Sequence, residues 1–240
     1  MGRRALRRID PALDLAGYFL SPADLPAPWD SRALWDREAP LEIEVGSGKG
    51  MFLCQAAAAS PDRNFLGIEL AWRYARFAAS RLAKAELRNA VVVHGDAQRL
   101  FAETLPDESA AAVHVYFPDP WWKKRHKKRR VMQPSFVRRV EQVLQVGGVL
   151  HFWTDVEEYF HVGLEVIQSA TSLRGGPVDE IAPPQSTQHV DDSDQHEDEA
   201  AFDNRRDQVV SDPTTFRTHF ERRMLLTGTQ VFRSRFVKSG

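Results

Sequence analysis

The sequence predicts an α/β protein with a mostly parallel sheet, helices on both faces and an antiparallel C-terminal strand. Short apolar runs alternate with helix-like segments from about residue 41 to residue 170, and this alternation is typical of a parallel sheet. The first apolar run also ends in a glycine-rich turn that opens a helix, an arrangement that binds nucleotides at the edge of such sheets.

Each element follows from its local composition. Apolar runs bounded by glycine, proline or polar residues predict strands, and alanine-rich segments or apolar positions spaced by three and four predict helices. The predicted strands are LEIEV (41–45), NFLGIEL (64–70), NAVVVHGDA (89–97), SAAAVHVYFPDP (109–120), VLHFWTDV (149–156) and TQVFRSRFV (229–237). The predicted helices are KGMFLCQAAAAS (49–60), AWRYARFAASRLAKAEL (71–87), AQRLFAETL (97–105), QPSFVRRVEQVLQVGG (133–148) and EEYFHVGLEVIQSA (157–170).

The chain divides into an N-terminal arm, residues 1–40, and one domain, residues 41–240. The arm is rich in Arg, Pro and Trp and shows no regular period. Within the domain, the acidic stretch VDDSDQHEDE marks a region near residues 190–210 that we expect to be a solvated loop, because it holds six carboxylates and no Lys or Arg.

Composition excludes several classes of protein. Cys54 is the only cysteine, so an intrachain disulfide or a cysteine-based zinc site is not available. No apolar run reaches the roughly 18 residues of a membrane span, and the basic N-terminus has no apolar stretch behind it. A cytoplasmic protein is therefore expected. The net charge is only −1, so positive charge is concentrated locally rather than over the whole molecule.

The turn EVGSGKG fits neither common phosphate motif. In a P-loop, Ile43 would have to be glycine and Gly50 would have to be Ser or Thr. In a dinucleotide fingerprint the third glycine would come one residue later. Gly46 and Gly48 still permit a tight turn and a close backbone approach to a ligand. The alternative interpretation is a strand-to-helix turn without a ligand.

Three acids favour a ligand at this turn. Glu44 lies within the first predicted strand, Glu69 ends the second and Asp96 follows the third. Acids at the carboxyl ends of neighbouring strands share one crevice, where a carboxylate can bind ribose hydroxyls. Since the phosphate motifs fail, the residues favour S-adenosylmethionine over NAD or ATP.

The stretch VYFPDPWWKKRHKKRR (115–130) combines a rigid turn with strong positive charge. Asp119 lies between two prolines, which fix the local backbone. Seven of the eight residues from Lys123 to Arg130 are Lys or Arg, and such a run can contact nucleic-acid phosphates. The alternative is a solvated basic loop. Because the run follows a strand that ends in the same crevice, we favour RNA binding.

These stretches resemble the bacterial-type tRNA (guanine-N7)-methyltransferase family. The resemblance covers about residues 41 to 237 and rests on LEIEVGSGKG, FLGIEL, HGDA, YFPDPWWKKRHKKRR, HFWTDVEEY and THFERR. It implies a Rossmann-like S-adenosylmethionine-dependent methyltransferase fold and methyl transfer to a tRNA guanosine, the variable-loop guanosine at tRNA position 46. The family usually has Lys where His219 stands, which weakens that one implied contact.

The resemblance also implies the roles of individual residues. Asp119 is the implied catalytic residue and a cofactor contact, and the other implied cofactor contacts are Glu44, Glu69 and Asp96. Gly46 and Gly48 are expected cofactor contacts from the glycine turn itself. The implied contacts to the substrate or the RNA are Lys123, Arg125, His126, Lys127, Lys128, Arg129, Arg130, Asp155, Thr218, His219, Phe220 and Glu221.

Guanine N7 has a free lone pair and no proton, so this chemistry requires neither a general base nor a metal. It requires alignment and a fixed negative group near the developing positive charge. Two alternatives stay open: an RNA-binding protein whose methyltransferase fold does not catalyse, and a nicotinamide oxidoreductase, which the glycine spacing disfavours. The oligomeric state is not set by the sequence.

Overall fold

The computed structural model describes residues 6–178 and 228–240. The strands of this part are β1 (Phe19–Leu20), β2 (Leu41–Val45), β3 (Asn64–Glu69), β4 (Ala90–His94), β5 (Ala110–Tyr116), β6 (Leu144–Thr154), β7 (Arg174–Val178) and β8 (Phe232–Val237). The α-helices are α1 (Arg32–Trp35), α2 (Met51–Ala59), α3 (Trp72–Lys84), α4 (Ala97–Glu103), α5 (Pro134–Val143) and α6 (Glu157–Ala170). Short 3-10 helices cover Pro22–Asp24 and Lys124–Arg129.

These strands form one sheet, in the order β1-β4-β3-β2-β5-β6-β8-β7. Strands β1 to β6 pair in parallel, β8 runs antiparallel to β6, and β7 runs antiparallel to β8. The predicted sheet, mostly parallel with an antiparallel C-terminal strand, is confirmed. The order reverses between β2 and β5, and ligands bind at this kind of switch point, outside the carboxyl ends of the strands.

The core lies on both faces of the sheet. Alternate side chains of a strand point to opposite faces. One apolar cluster accordingly contains Ile43 and Val45 of β2 together with side chains from α4, α5 and α6. The other contains Phe65 of β3 and Val92 of β4 together with side chains from α2 and α3. This arrangement leaves the carboxyl ends of the strands, and the loops that follow them, to form a site.

The prediction that α5 extends to residue 148 was wrong. The helix ends at Val143, and the strand β6 begins at once with Leu144, which is fully buried and pairs with Ala110. Backbone groups of Gly147 and Gly148 exchange hydrogen bonds of 2.9 and 3.0 Å with Lys238. Sheet partners distant in sequence therefore override the local helix pattern, which a single sequence does not reveal.

The N-terminal segment packs on the domain from residue 13 onward. Strand β1 pairs in parallel with β4, and Tyr18, Leu25 and Trp35 are buried. Strands β1 and β7 were not predicted, because one is two residues long and the other contains two glycines and a proline. The acidic stretch near 190–210 lies outside the described residues. In the part of the chain that is described, no helix is long and apolar enough to cross a membrane.

Candidate active site

The glycine turn after β2 is held in a left-handed conformation at three positions. Gly46, Gly48 and Gly50 have φ angles of 82°, 51° and 71°. A Cβ atom at Gly46 or Gly48 would meet nothing within 4 Å, so the backbone there borders open space. A Cβ atom at Gly50 would lie 2.6 Å from Cβ of Ala78 on α3, so this glycine permits close packing of the helices. Two of the three glycines thus leave room for a ligand.

Glu69 fastens this turn to the end of β3. One carboxylate oxygen accepts a hydrogen bond of 2.8 Å from the backbone N–H of Gly48, and the other accepts one of 2.7 Å from Ala71. A carboxylate has about four lone-pair positions. Because the described residues use only two of these positions, Glu69 retains acceptor capacity for a ligand hydroxyl.

Glu44 is a buried acid beside the same turn. Only 3% of Glu44 is exposed, and its Oε2 has no hydrogen-bond partner among the described residues. Burial raises the pKa of Glu44 to about 8, the Ser47 hydroxyl opposes this, and the negative charge of Glu69 adds to it. A cationic ligand next to this buried carboxyl would favour its ionised form, and the attraction between the two charges would favour binding.

Asp96 caps α4 next to Glu69. Its Oδ1 accepts a hydrogen bond of 2.9 Å from the backbone N–H of Gln98, and the residue is exposed. The preceding Gly95 donates its N–H to the backbone carbonyl of Glu69 at 3.1 Å. The structure thus brings the acids that follow β3 and β4 to adjacent positions at one edge of the sheet, as predicted.

Asp119 is exposed in the turn that follows β5. The turn begins at Phe117, whose N–H donates to the carbonyl of Trp153 at 2.8 Å. Phe117 and Trp121 have φ angles of 49° and 42°, a conformation that bulky residues adopt only where the surroundings impose it. Asp155, the residue after β6, is half-buried at the same edge, because β5 and β6 are parallel neighbours.

The basic stretch forms the 3-10 helix Lys124–Arg129 beyond this turn. Four side chains of the stretch are exposed, namely Lys123, Arg125, Lys128 and Arg129. His126 is half-buried and Arg130 is buried. The described part of the stretch therefore presents positive charge beside the acidic edge of the sheet. The side chain of Lys127, like the segment Thr218 to Glu221, lies outside the described residues.

A polar network beneath α2 was not predicted. His114 Nε2 lies 2.8 Å from Glu42 Oε2, His114 Nδ1 lies 2.8 Å from the hydroxyl of Tyr116, and Arg63 donates to Glu42 at 2.9 Å. Burial raises the pKa of Glu42, but the hydrogen bond and charge of His114, with those of Arg63, outweigh burial and leave it lowered. The sequence did contain a sign of this polar network, because Glu42 and Glu44 alternate in LEIEV and therefore share one face of the strand.

Other reactive groups do not add a second chemistry. Burial raises the pKa of the Cys54 thiol to about 11, so this cysteine is not an activated nucleophile. Among the described residues, no three His, Cys, Asp or Glu side chains are grouped where they could hold a metal ion. This edge of the sheet instead carries five acids, one within or after each of the five neighbouring strands β2 to β6. The exposed cations of the basic stretch lie next to it.

Comparison with known proteins agrees with this arrangement. Residues 38–210 match the family model described as "Putative methyltransferase". A solved precorrin-6y C5,15-methyltransferase from Geobacter metallireducens superposes with a TM-score of 0.50 at 13% identity, over 92% of this chain and 94% of that one. A solved antibiotic-related methyltransferase gives 0.50 at 15% identity, over 85% and 90%. The fold and the edge of the sheet therefore define a Rossmann-like methyltransferase.

Relatives of known name specify the family. The chain is 44% identical over 238 residues to the tRNA (guanine-N(7)-)-methyltransferase of Rhodopirellula baltica, covering 97% of this chain and 79% of the relative. It is 42% identical over 149 residues to the enzyme of the same name from Yersinia enterocolitica, covering 62% of each. The alignment thus spans less than two thirds of the Yersinia protein. The chain belongs to the tRNA (guanine-N(7)-)-methyltransferase family.

Proposed function

We propose that this protein transfers a methyl group from S-adenosylmethionine to N7 of a guanosine in tRNA, the variable-loop guanosine at tRNA position 46. The observation that carries the proposal is the junction of an acidic crevice with an exposed basic surface at the switch point of the sheet. Family membership agrees with it. The cytoplasm, where tRNA is processed, is the proposed location.

The acidic crevice fits S-adenosylmethionine. This molecule carries a sulfonium, an ammonium group, two ribose hydroxyls and an adenine amino group. Among the described residues, Glu44 has a buried oxygen with no hydrogen-bond partner and Glu69 has unused acceptor positions, while Gly46 and Gly48 border open space. Together with Asp96, these residues would hold it, and when bound it supplies the electrophilic methyl group.

The basic surface fits the tRNA backbone. Lys123, Arg125, Lys128 and Arg129 are exposed and follow Asp119 closely in the chain. Phosphate contacts position a nucleic acid without specifying its sequence. Asp155 and the segment Thr218 to Glu221 are the residues that we propose to contact the target nucleotide, together with Lys123.

Asp119 is the proposed catalytic residue. N7 needs no deprotonation, so the protein contributes alignment of the reacting atoms and a fixed negative charge. As an anion, Asp119 stabilises the positive charge that the nucleobase gains. It can also accept hydrogen bonds from the guanine N–H groups and so hold the base in line. Both roles require an ionised carboxylate in a fixed turn, and the two prolines and the strained Phe117 fix that turn.

The test is incubation of the purified protein with methyl-labelled S-adenosylmethionine and an unmodified tRNA transcript, followed by nucleoside analysis. The expected product is 7-methylguanosine, and a transcript with adenosine at position 46 should accept no label. Binding of both molecules without methyl transfer would support the alternative, a non-catalytic RNA-binding protein. Label in any nucleoside other than 7-methylguanosine would contradict the proposal.

A further inference from the structure

Arg130 ends the basic stretch but does not share its surface. Only 7% of the residue is exposed, whereas Arg125, Lys128 and Arg129 are exposed. A phosphate contact requires a guanidinium that reaches solvent. The burial of Arg130 therefore separates it physically from the cations that can meet a tRNA backbone.

The side chain of Arg130 contacts the turn that carries Asp119. Its Nε donates a hydrogen bond of 2.6 Å to the backbone carbonyl of Pro120, the residue directly after Asp119. Its guanidinium carbon lies 4.8 Å from the ring centroid of Tyr159, which is fully buried on α6. A buried cation is destabilising unless such interactions compensate it. Arg130 is thus held between a helix of the core and the turn.

The backbone of Arg130 is connected to the cofactor side of the crevice. Its carbonyl accepts hydrogen bonds from the side-chain amides of Gln133 at 2.7 Å and Gln98 at 3.4 Å. The backbone N–H of Gln98 in turn donates to Asp96. A continuous series of contacts therefore runs from Asp96 through Arg130 to the turn with Asp119.

The charges of Asp119 and Arg130 both act on Tyr159. Burial raises the pKa of Tyr159 to about 12; the Asp119 carboxylate adds to this and the Arg130 guanidinium opposes it. Both charges therefore act on the same buried ring.

We infer that Arg130 is a positioning residue, which holds the turn of Pro118 to Pro120 and thereby aligns Asp119 with the cofactor side of the crevice, and that it does not contact RNA. This inference rests on the proposed function, and it replaces the RNA contact that the family resemblance implied for Arg130. The Nε donor and the planar guanidinium act in different directions, so Lys does not reproduce both contacts. A displacement of about 1 Å at a reacting group can lower the rate on the order of 100-fold.

The kinetic test compares Arg130→Gln and Arg130→Lys with Arg125→Gln, a matched control that is exposed in the same stretch. For both Arg130 variants, kcat should fall about 10- to 100-fold, while tRNA affinity and its salt dependence stay at the wild-type level. Arg125→Gln should instead show a flatter salt dependence of binding, and Arg138→Gln, which changes an exposed arginine of α5 outside the proposed site, should keep the wild-type kcat. Wild-type kcat with a flatter salt dependence in the Arg130 variants would overturn the inference.

Two further measurements separate positioning from a general loss of structure. Millimolar guanidinium should restore part of kcat in Arg130→Ala, because it can occupy the site between Pro120 and Tyr159, and should not improve Arg125→Ala. Absence of any rescue in a variant with wild-type S-adenosylmethionine affinity would contradict the inference. If Arg130→Ala does not fold, Arg130→Lys provides the kinetic comparison.

Amide hydrogen exchange measures the turn without the reaction. Exchange at Asp119 and Trp121 should be faster in Arg130→Gln than in wild type and unchanged in Arg125→Gln. Equal exchange in all three proteins would refute the positioning role even if methyl transfer is confirmed. If the wild-type protein failed to methylate tRNA, the proposed function would fail, while faster exchange would still support the contact between Arg130 and the turn.

Discussion

The carboxylate of Glu69 accepts a hydrogen bond of 2.8 Å from the backbone N–H of Gly48, and so joins the end of β3 to the glycine turn after β2. The two residues are 21 positions apart in sequence. The bond keeps the turn in the left-handed conformation that leaves open space at Gly48. In the proposed site, Glu69 holds the turn and also offers an acceptor to the cofactor, so the effect of removing it should include both contributions.

Glu69→Ala should weaken S-adenosylmethionine binding by roughly 1–3 kcal/mol, because a ribose hydroxyl no longer has its acceptor and the turn is no longer fastened to β3. Glu69→Gln keeps one acceptor oxygen and should have a smaller effect. Isothermal titration calorimetry measures both, with Glu103→Gln, an exposed acid at the far end of α4, as the control. Cofactor affinity unchanged in Glu69→Ala would remove this residue from the site.

The buried Glu44 should make the stability of the protein fall as pH rises. Its pKa is about 8 in the folded state, against an ordinary value of 4.5 for a glutamate. Below pH 4.5 the group is protonated in both states and has no effect on stability. Between pH 4.5 and 8 the unfolded chain ionises first, so the free energy of unfolding falls by up to about 1.4 kcal/mol per pH unit relative to Glu44→Gln, which has no such titration. Urea unfolding of the two proteins at several pH values measures the difference.

Glu42, in the same strand, should have the opposite effect on the pH dependence of stability. Its pKa is lowered in the folded state, so its contribution to stability is present above pH 4.5 and is lost as pH falls through the lower folded value. Glu42→Gln should therefore be less stable than wild type at neutral pH, with the gap closing in acid. If the pH profiles of Glu42→Gln and Glu44→Gln relative to wild type were parallel, at least one of the two environments would not be as described.

The acidic crevice could be predicted from the sequence, because its logic is topological. Parallel strands have their carboxyl ends at one edge of the sheet, so Glu69, Asp96 and Asp119 had to lie along the same edge once the strands were recognised. The inward direction of Arg130 could not be predicted in the same way. In sequence it is one cation among seven, and only the packing of Tyr159 on α6 distinguishes it.

Strand boundaries that depend on partners distant in sequence also could not be predicted from the sequence. The stretch from Leu144 to Gly148 continues a helical pattern, yet it pairs with Ala110 and with Lys238 near the C-terminus. Similarly, β1 is too short to produce a period, and it exists because β4 offers a free edge. Local patterns specify the middle of each element, and tertiary pairing decides where it ends.

Asp119→Asn should lower kcat far more than it lowers tRNA affinity. The substitution keeps the shape of the side chain and removes the charge that stabilises the methylated base. Asp119 is an acid, so its loss cannot remove an attraction to phosphate. Single-turnover methylation and filter binding measure the two quantities, and Asp107→Asn, an exposed acid far from the turn, serves as control. Near-normal turnover in Asp119→Asn would exclude a catalytic role for its charge.

The exposed cations of the basic stretch should determine the salt dependence of tRNA binding. Each phosphate contact releases condensed cations, which gives a slope of log affinity against log salt of about −0.7 to −0.9 per contact. Replacing Arg125 and Lys128 together with Ala should therefore flatten the slope by about 0.7–0.9 for each of the two cations that meets a phosphate, and should weaken binding of different tRNAs alike. Cofactor affinity should stay constant, because these side chains lie beyond the acidic crevice.

The matched control replaces Lys84 and Arg88, exposed cations that precede the amino end of β4, and should keep the wild-type slope. An unchanged slope in the Arg125 and Lys128 variant would show that the stretch is a solvated loop and that tRNA binds elsewhere on the surface.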